Sequence, residues 1–304
     1  MFRDGCEIGM LDLMSPCILC EGADYRVLNL WPGRPLKRCR RCGLVTVATK
    51  PPVTAIQEYY RCPYAADWLS READGHRRGL FARLLQEIRT RRAPGRLLDV
   101  GCASGLLVHQ ALQTGWEATG VEISPLACRR AKEEFGLDLF QGELAEACFP
   151  EAAFDVVTFV DVLDHLDDPL GQLREAYRVL KPGGLLVVRV PNFPVQSAVR
   201  RLSLALGRLS GRLLSDFGVI HFYNFSCRTL KLLLEKAGFC EVEVRPSWMV
   251  GADLCGPLGH RWTRILHGAK RLAFLTAHML FRLSGARWVG TPSIEAYGER
   301  WRPS

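Results

Sequence analysis

Two groups of residues in this 304-residue chain have the types and spacing to do chemistry. The first is Asp99-Val100-Gly101-Cys102-Ala103-Ser104-Gly105, led by the apolar pair Leu97-Leu98, with Glu122 seventeen residues past Gly105. In an open α/β sheet the ligand lies beyond the carboxyl ends of the strands, where a carboxylate at the tip of the second strand can accept hydrogen bonds from a ribose diol. Gly101 and Gly105 carry no Cβ, so the backbone can turn tightly and come close to that ligand. A dinucleotide loop, G-x-G-x-x-G, sets a pyrophosphate on a helix N-terminus. Here an acid stands inside the motif, which repels a diphosphate and suits a nucleoside cofactor that carries positive charge.

The second group is Cys17-x-x-Cys20, eighteen intervening residues, then Cys39-x-x-Cys42. Each pair can give two sulfurs to one tetrahedral ion while the intervening hairpin returns the chain, which is the spacing of a four-thiolate zinc ribbon. Four thiolates fill the coordination shell and leave no position for a reacting water, so the zinc is expected to be structural. Two disulfides or four free thiols are the alternatives. Against disulfides, the chain shows no secretory signal and spreads eight further cysteines through apolar segments, which fits a reducing, cytoplasmic compartment. Gly22 and Gly43 follow the second cysteine of each pair, where a knuckle turn calls for positive φ.

The elements that must position these groups follow downstream in strand and helix alternation. Glu122 ends a second strand. Gly136 to Glu143 reads as a third strand and loop, and Phe154 to Val160 as a fourth strand whose unbroken apolar character suits a parallel sheet covered on both faces. Leu170 to Leu180 reads as a helix, Lys181-Pro182-Gly183-Gly184 as a turn, and Leu185 to Val190 as a fifth strand. A helix over Thr229 to Ala237, N-capped by Ser226 and closed by Gly238, precedes strands at Glu241 to Arg245 and Ile294 to Gly298.

Leu97 to Leu107 with Val121-Glu122-Ile123-Ser124 resembles the first two motifs of the class I S-adenosylmethionine (SAM)-dependent methyltransferases. Val162-Leu163-Asp164-His165-Leu166-Asp167-Asp168-Pro169, followed by Leu180-Lys181-Pro182-Gly183-Gly184, is similar to that family's later pattern, with Asp164 where Glu is frequent. The resemblance covers residues 95 to 192 and implies a doubly wound, Rossmann-like seven-stranded sheet. It further implies that Asp99, Gly101, Cys102, Ala103 and Gly105 surround the methionine moiety, that Glu122 beside Ile123 takes the ribose hydroxyls, that Gly142, Glu143 and Leu144 flank adenine, and that Asp161 lies near the methionyl end or the transferred methyl. The thiol of Cys102 is read as packing against the cofactor. Cys17, Cys20, Cys39, Cys42, Gly43, Tyr59 and Tyr60 resemble the N-terminal zinc module of bacterial methyltransferases that act on sugars or other small molecules, although proline here precedes the first cysteine. Pro191-Asn192-Phe193 and His221 to Ser226 resemble segments that cap the acceptor pocket, so His221 and His165 are the candidate bases for an acceptor hydroxyl or amine.

The expected organisation is a disordered tail over residues 1–14, a zinc ribbon over 15–50, a linker and helical segment over 51–92 with a helix from Gly79 to Arg92, and a methyltransferase domain over 93–304. That domain carries a cap at 193–225 and a basic helical insertion at 247–290. No apolar run approaches the roughly 18 residues of a spanning helix. The net charge of +8 is concentrated outside the cofactor half. Over Val199 to Leu214 three arginines share one helical face with leucines on another, and His260 to Arg287 carries Arg261, Arg264, Lys270, Arg271, Arg282 and Arg287 with no acid among them. Such segments read either as a lid or as a peripheral contact with an anionic membrane.

The acceptor expected is a small molecule: a sugar, a nucleotide-sugar or a lipid-linked intermediate. An RNA base methyltransferase is the alternative within enzymology. It is disfavoured because the ribbon has little basic and aromatic interleaving beyond Arg38, Arg40 and Arg41, and because Val160 to Leu163 does not resemble the Asn-Pro-Pro-aromatic site used for base amines, so nucleic acid is not the expected partner. A noncatalytic binding protein that kept the fold is the alternative of another class.

Overall fold

A computed structural model of the chain describes residues 15–31, 34–49, 71–198, 200–201, 221–247 and 290–302, with the single positions 276, 279 and 283. The expected tail, the Pro51-Pro52 linker, Tyr59, Tyr60, most of the 193–225 cap and nearly all of the 247–290 insertion lie outside the described residues. The chain divides into two compact units.

The first unit comprises Met1–Lys50, Val190–Leu230 and Val244–Glu295. Its four-stranded sheet has the order β1-β2-β3-β9, built from Tyr25–Trp31 (β1), Arg34–Cys39 (β2), Val45–Val47 (β3) and Tyr223–Asn224 (β9). Both β1 on β2 and β2 on β3 are antiparallel, so the polypeptide between the cysteine pairs folds back as a hairpin. Leu36, Val45 and Phe193 form a small buried cluster, with Leu28, Leu30 and Val47 packed on it. The ribbon therefore shares its core with residues that follow the fifth parallel strand, a grouping that the local reading over 15–50 did not contain.

The second unit comprises Pro51–Arg189, Lys231–Glu243 and Ala296–Ser304 and carries the greater part of a seven-stranded sheet. After helix α1 (Arg71–Arg91) come β4 (Arg96–Val100), α2 (Leu106–Gln113), β5 (Glu117–Glu122), α3 (Pro125–Phe135), β6 (Phe140–Gln141), β7 (Phe154–Val160), α4 (Pro169–Val179), β8 (Leu180–Pro191), α5 (Cys227–Lys236), β10 (Cys240–Pro246) and β11 (Ser293–Glu299). The sheet order is β10-β11-β8-β7-β4-β5-β6. β4 lies parallel between β5 and β7, and β7 is parallel to β8. β11 runs against β8, since Gly183 N–H donates to the Arg300 carbonyl near one end and Asn192 N–H to that of Pro292 at the other. This is the class I methyltransferase arrangement, in which the strand order reverses beside β4 and opens a crevice at its carboxyl end.

Several boundaries differ from the sequence reading for physical reasons. The first helix begins at Arg71, eight residues before Gly79, because a polar first turn carries no apolar period to mark it. The third strand shrinks to two residues, Phe140–Gln141. Lys181 to Gly184 does not separate a turn from a strand. β7 pairs Phe154 with Leu180 and then Val156 with Leu185, so those residues form a bulge inside one long strand. Ser226 caps α5 as expected, with its Oγ accepting from Thr229 N–H at 3.3 Å.

Candidate functional site

The site is built around the exit of β4. Asp99 is the penultimate residue of that strand and is 4 % exposed. Its Oδ1 accepts a 2.6 Å hydrogen bond from the Thr158 hydroxyl on the neighbouring β7. Burial pushes the Asp99 carboxyl up to about 7, against the Thr158 hydrogen bond and with the help of the nearby Glu122. Glu122, 8 % exposed at the end of β5, holds two backbone donors: Ala103 N–H on Oε2 and Ser124 N–H on Oε1, each at 2.8 Å. Burial raises its pKa while these amides lower it. One carboxylate thus fastens the glycine loop to the start of α3.

The loop itself has three successive special positions. Gly101 and Gly105 lie at φ +69° and +74°, and Ala103 between them takes φ 48°, a left-handed conformation that costs a residue with a Cβ about 1–2 kcal/mol. A Cβ on Gly101 would stand 2.5 Å from the Val162 side chain, so the segment after β7 closes directly over the loop. The Cys102 thiol faces β5: a Cβ on Gly120 would collide with its Sγ, and burial lifts the thiol well above its ordinary range. Burial comes first and the nearby Asp99 and Glu122 add to it, which keeps Cys102 a neutral thiol.

Gly142, at φ +153°, donates its N–H to the Glu122 carbonyl at 3.0 Å. Leu144 is fully buried, Ile123 half-buried and Glu143 exposed. Glu143 caps the short 3-10 turn Leu144–Ala147, its own N–H bonded to Glu146 and its Oε2 accepting from Gln172. Asp161, at φ 59° just past β7, is engaged with Arg189 of β8: Nη1 of that arginine reaches both carboxylate oxygens at 2.5 and 2.6 Å, and Asp161 N–H donates to the Arg189 carbonyl. Arg189 is 1 % exposed. Sequence reasoning read Leu185 to Val190 as a strand without singling out Arg189, although a charged residue inside a covered strand demands a partner of opposite charge.

The candidate bases belong to different units. His165 ends the 3-10 turn Leu163–His165, with Nε2 3.4 Å from Oδ2 of the buried Asp164. His221 precedes β9, and its carbonyl accepts from Asn224 Nδ2 at 3.3 Å.

The four cysteines converge. Cys17 and Cys42 sulfurs lie 3.5 Å apart, as do those of Cys20 and Cys39, and all four lie within 4.8 Å of one another. A disulfide needs about 2.05 Å, whereas sulfurs about 2.3 Å from one tetrahedral ion stand roughly 3.8 Å apart. The cluster therefore fits zinc. At the knuckles Gly43 has the expected positive φ, +86°, but Gly22 does not; Glu21 takes that role at φ 61°, with its N–H on the Cys17 carbonyl.

A probable S-adenosylmethionine-dependent methyltransferase of Mycolicibacterium smegmatis is 30 % identical over 165 residues, 54 % of this chain and 59 % of the relative. A ubiquinone biosynthesis O-methyltransferase of Pseudomonas entomophila is 39 % identical over 95 residues, 29 % of this chain and 41 % of the relative. The chain thus spans less than two thirds of the length of either. Among solved structures, a Thermotoga maritima protein described as a SAM-dependent methyltransferase and possible histamine N-methyltransferase overlays with TM-score 0.49 at 20 % identity, over 81 % of this chain and 99 % of that one. The model of the methyltransferase domain matches residues 73–244. That span is more than half of the sequence and holds the glycine loop with both of its buried carboxylates, so the chain belongs to the methyltransferase-domain family.

Proposed function

We propose that the chain binds SAM at the β4 exit and transfers its methyl group to a hydroxyl of a small-molecule acceptor. The observation that carries this reading is the pair of buried acids, Asp99 and Glu122, both more than nine-tenths buried beside a loop of left-handed backbone. Two carboxylates desolvated near one another raise each other's proton affinity, and a cationic ligand is the partner that relieves them. A dinucleotide would worsen the repulsion. Bound SAM supplies an electrophilic methyl group on a sulfonium, together with an ammonium and a ribose diol.

In this reading Asp99 meets the positive charge, and Glu122 accepts from the diol on the lone pairs that its two backbone donors leave. Gly101 and Gly105 bring bare backbone alongside the ligand. Gly142, Glu143 and Leu144 border the adenine side, and Val162 closes the loop from above. His221 or His165 takes the acceptor proton. The names of the Pseudomonas and Mycolicibacterium relatives support oxygen as the acceptor atom and SAM as the donor. Sugar, nucleotide-sugar and lipid-linked hydroxyls are the acceptors to be tried. Peripheral contact with an anionic membrane belongs to the same proposal, because a lipid-linked acceptor would be met there.

Calorimetric titration of SAM into the wild type and Glu122→Ala tests the cofactor assignment. The variant is expected to lose about 2 kcal/mol or more of binding free energy, since a diol loses its acceptor and the Ala103 and Ser124 amides lose theirs. Unchanged affinity removes Glu122 from the site. Methyl-labelled SAM incubated with the enzyme and a panel of small hydroxylated acceptors then identifies the product, and His221→Gln with normal SAM affinity and no turnover would assign the base.

A further inference from the structure

The cysteine cluster and the segment proposed to cap the acceptor are parts of one piece of structure. Cys42 is followed by Gly43 and the fully buried Leu44, and β3 begins at the next residue. β3 is the strand to which β9 pairs: Val45 stands opposite Asn224 and Thr46 opposite Tyr223, and Val47 N–H donates to the Phe222 carbonyl at 3.1 Å. Two more bonds tie the stretch after β8 to the same structure. Phe193 N–H donates to the Phe225 carbonyl at 2.9 Å, and Arg200 Nε donates to the Leu30 carbonyl of β1 at 3.3 Å. Phe193 also joins Leu36 and Val45 in the ribbon's apolar cluster.

A strand of two residues has no stability of its own, and a three-stranded ribbon with so few buried side chains needs a metal to fold. β9 occupies the edge of the sheet and depends on β3 for its register. β3, in turn, is held at its start by the knuckle that Cys39 and Cys42 close: Gly43 N–H bonds the Cys39 carbonyl, and Cys39 N–H bonds that of Leu44. The route from metal ligand to Tyr223 is therefore a few residues of backbone and one ladder of hydrogen bonds. The buried carboxylates of the cofactor crevice all lie in the other unit.

We propose that metal at the four cysteines is the anchor that positions the His221–Phe225 segment, so that metal loading controls acceptor recognition and methyl transfer while leaving SAM binding intact. The functional half of this statement rests on the reading above, in which that segment belongs to the acceptor side. The positioning residues are Leu44, Val45 and Phe193, which carry the effect without touching acceptor or cofactor.

The test uses the whole 304-residue chain, metal-loaded, from which zinc is withdrawn by a chelator so that folding without metal is not at issue. Hydrogen exchange is followed by mass spectrometry and SAM affinity by calorimetry on the same samples. Chelation is expected to speed exchange by about tenfold or more in peptides holding Val45–Val47 and Tyr223–Phe225, to leave Leu97–Val100 and Val156–Val160 unchanged, and to alter SAM affinity by less than about twofold. Unchanged exchange at Tyr223–Phe225 overturns the anchor. Loss of SAM binding together with β9 protection overturns its selectivity, because the metal would then support the whole chain. If SAM binds neither form, the methyl-donor reading fails, and the exchange data still decide whether the cluster holds β9. Asn224→Pro, which removes a ladder N–H but no sulfur, provides the reciprocal check: zinc content and SAM affinity are expected to stay at wild-type values while exchange at Tyr223–Phe225 rises.

Discussion

At the scale of single residues, Asp99 gives the clearest quantitative expectation. Its carboxyl rises from 3.8 to about 7 on burial, so between those values the folded chain binds a proton that the unfolded chain has released. The sign follows from linkage: stability of the ligand-free protein falls as pH rises through that window, and the difference vanishes below the unfolded value. A cationic ligand selects the ionised form, so SAM affinity should strengthen about tenfold between about pH 5.5 and pH 7, with proton release on binding. Asp99→Asn should flatten that dependence, and calorimetry in two buffers of different ionisation enthalpy reads it directly. An equally steep profile in the variant would transfer the effect to Glu122, the other buried acid in the crevice. Arg189 and Asp161 form the second case. Replacing Arg189 with Met leaves a partly buried carboxylate at positive φ without its guanidinium, a loss of about 3–5 kcal/mol by denaturant unfolding. Adding Asp161→Asn should recover part of it, since Asn also tolerates the left-handed region.

At the scale of elements, the centre of the sheet was legible because β4, β7 and β8 are covered on both faces. Phe154 to Val160 is strand β7 to the residue, and the helix expected at Leu170 to Leu180 is α4 displaced by one. The glycine loop was legible for the same local reason: its spacing is its geometry. What the sequence did not disclose depends on contacts far along the chain. A Tyr223-Asn224 strand has no period to recognise, and its partner lies some 178 residues earlier. The left-handed turn at Glu21 was assigned to the neighbouring glycine because residue type was the sole guide. Gly120 shows the converse, a residue with an ordinary φ whose missing side chain makes room for Cys102. Gly120→Ala should therefore destabilise the protein by about 1–3 kcal/mol through overpacking between β5 and the loop. Cys102→Ala in the same chain should relieve part of that loss in a double-mutant cycle of thermal or denaturant melts, because it removes the sulfur but keeps a Cβ 2.9 Å from the new methyl. Additive losses would mean that the strain falls on the Cys102 Cβ and the Asp99 carbonyl, 2.9 and 3.2 Å from the same Cβ position.

At the scale of the whole molecule, the charge of +8 is unevenly used. The cofactor crevice holds buried acids, whereas the stretch from His260 to Arg287 contributes six arginines and lysines and no carboxylate. Of that stretch, Thr276, Met279 and Leu283 are described; all three are helical and exposed, with Met279 at 57 % and Leu283 at 76 %. Met279 and Leu283 are thus two exposed large apolar side chains in a strongly basic sequence. Among the described residues no helix is long and apolar enough to cross a membrane. Apolar side chains that enter a headgroup layer beside cationic neighbours give an attachment that depends on salt, since at about 0.15 M charges are screened within roughly 8 Å. Vesicles containing anionic lipid should accordingly sediment the protein at low ionic strength and release it as salt rises, and neutral vesicles should not retain it. Leu283→Glu should weaken retention without changing SAM affinity, because it adds a charge of the lipid's own sign in the unit that does not hold Asp99 and Glu122. Retention that survives both high salt and this substitution would place the contact elsewhere on the chain, and the acceptor would then have to be sought without a membrane to present it.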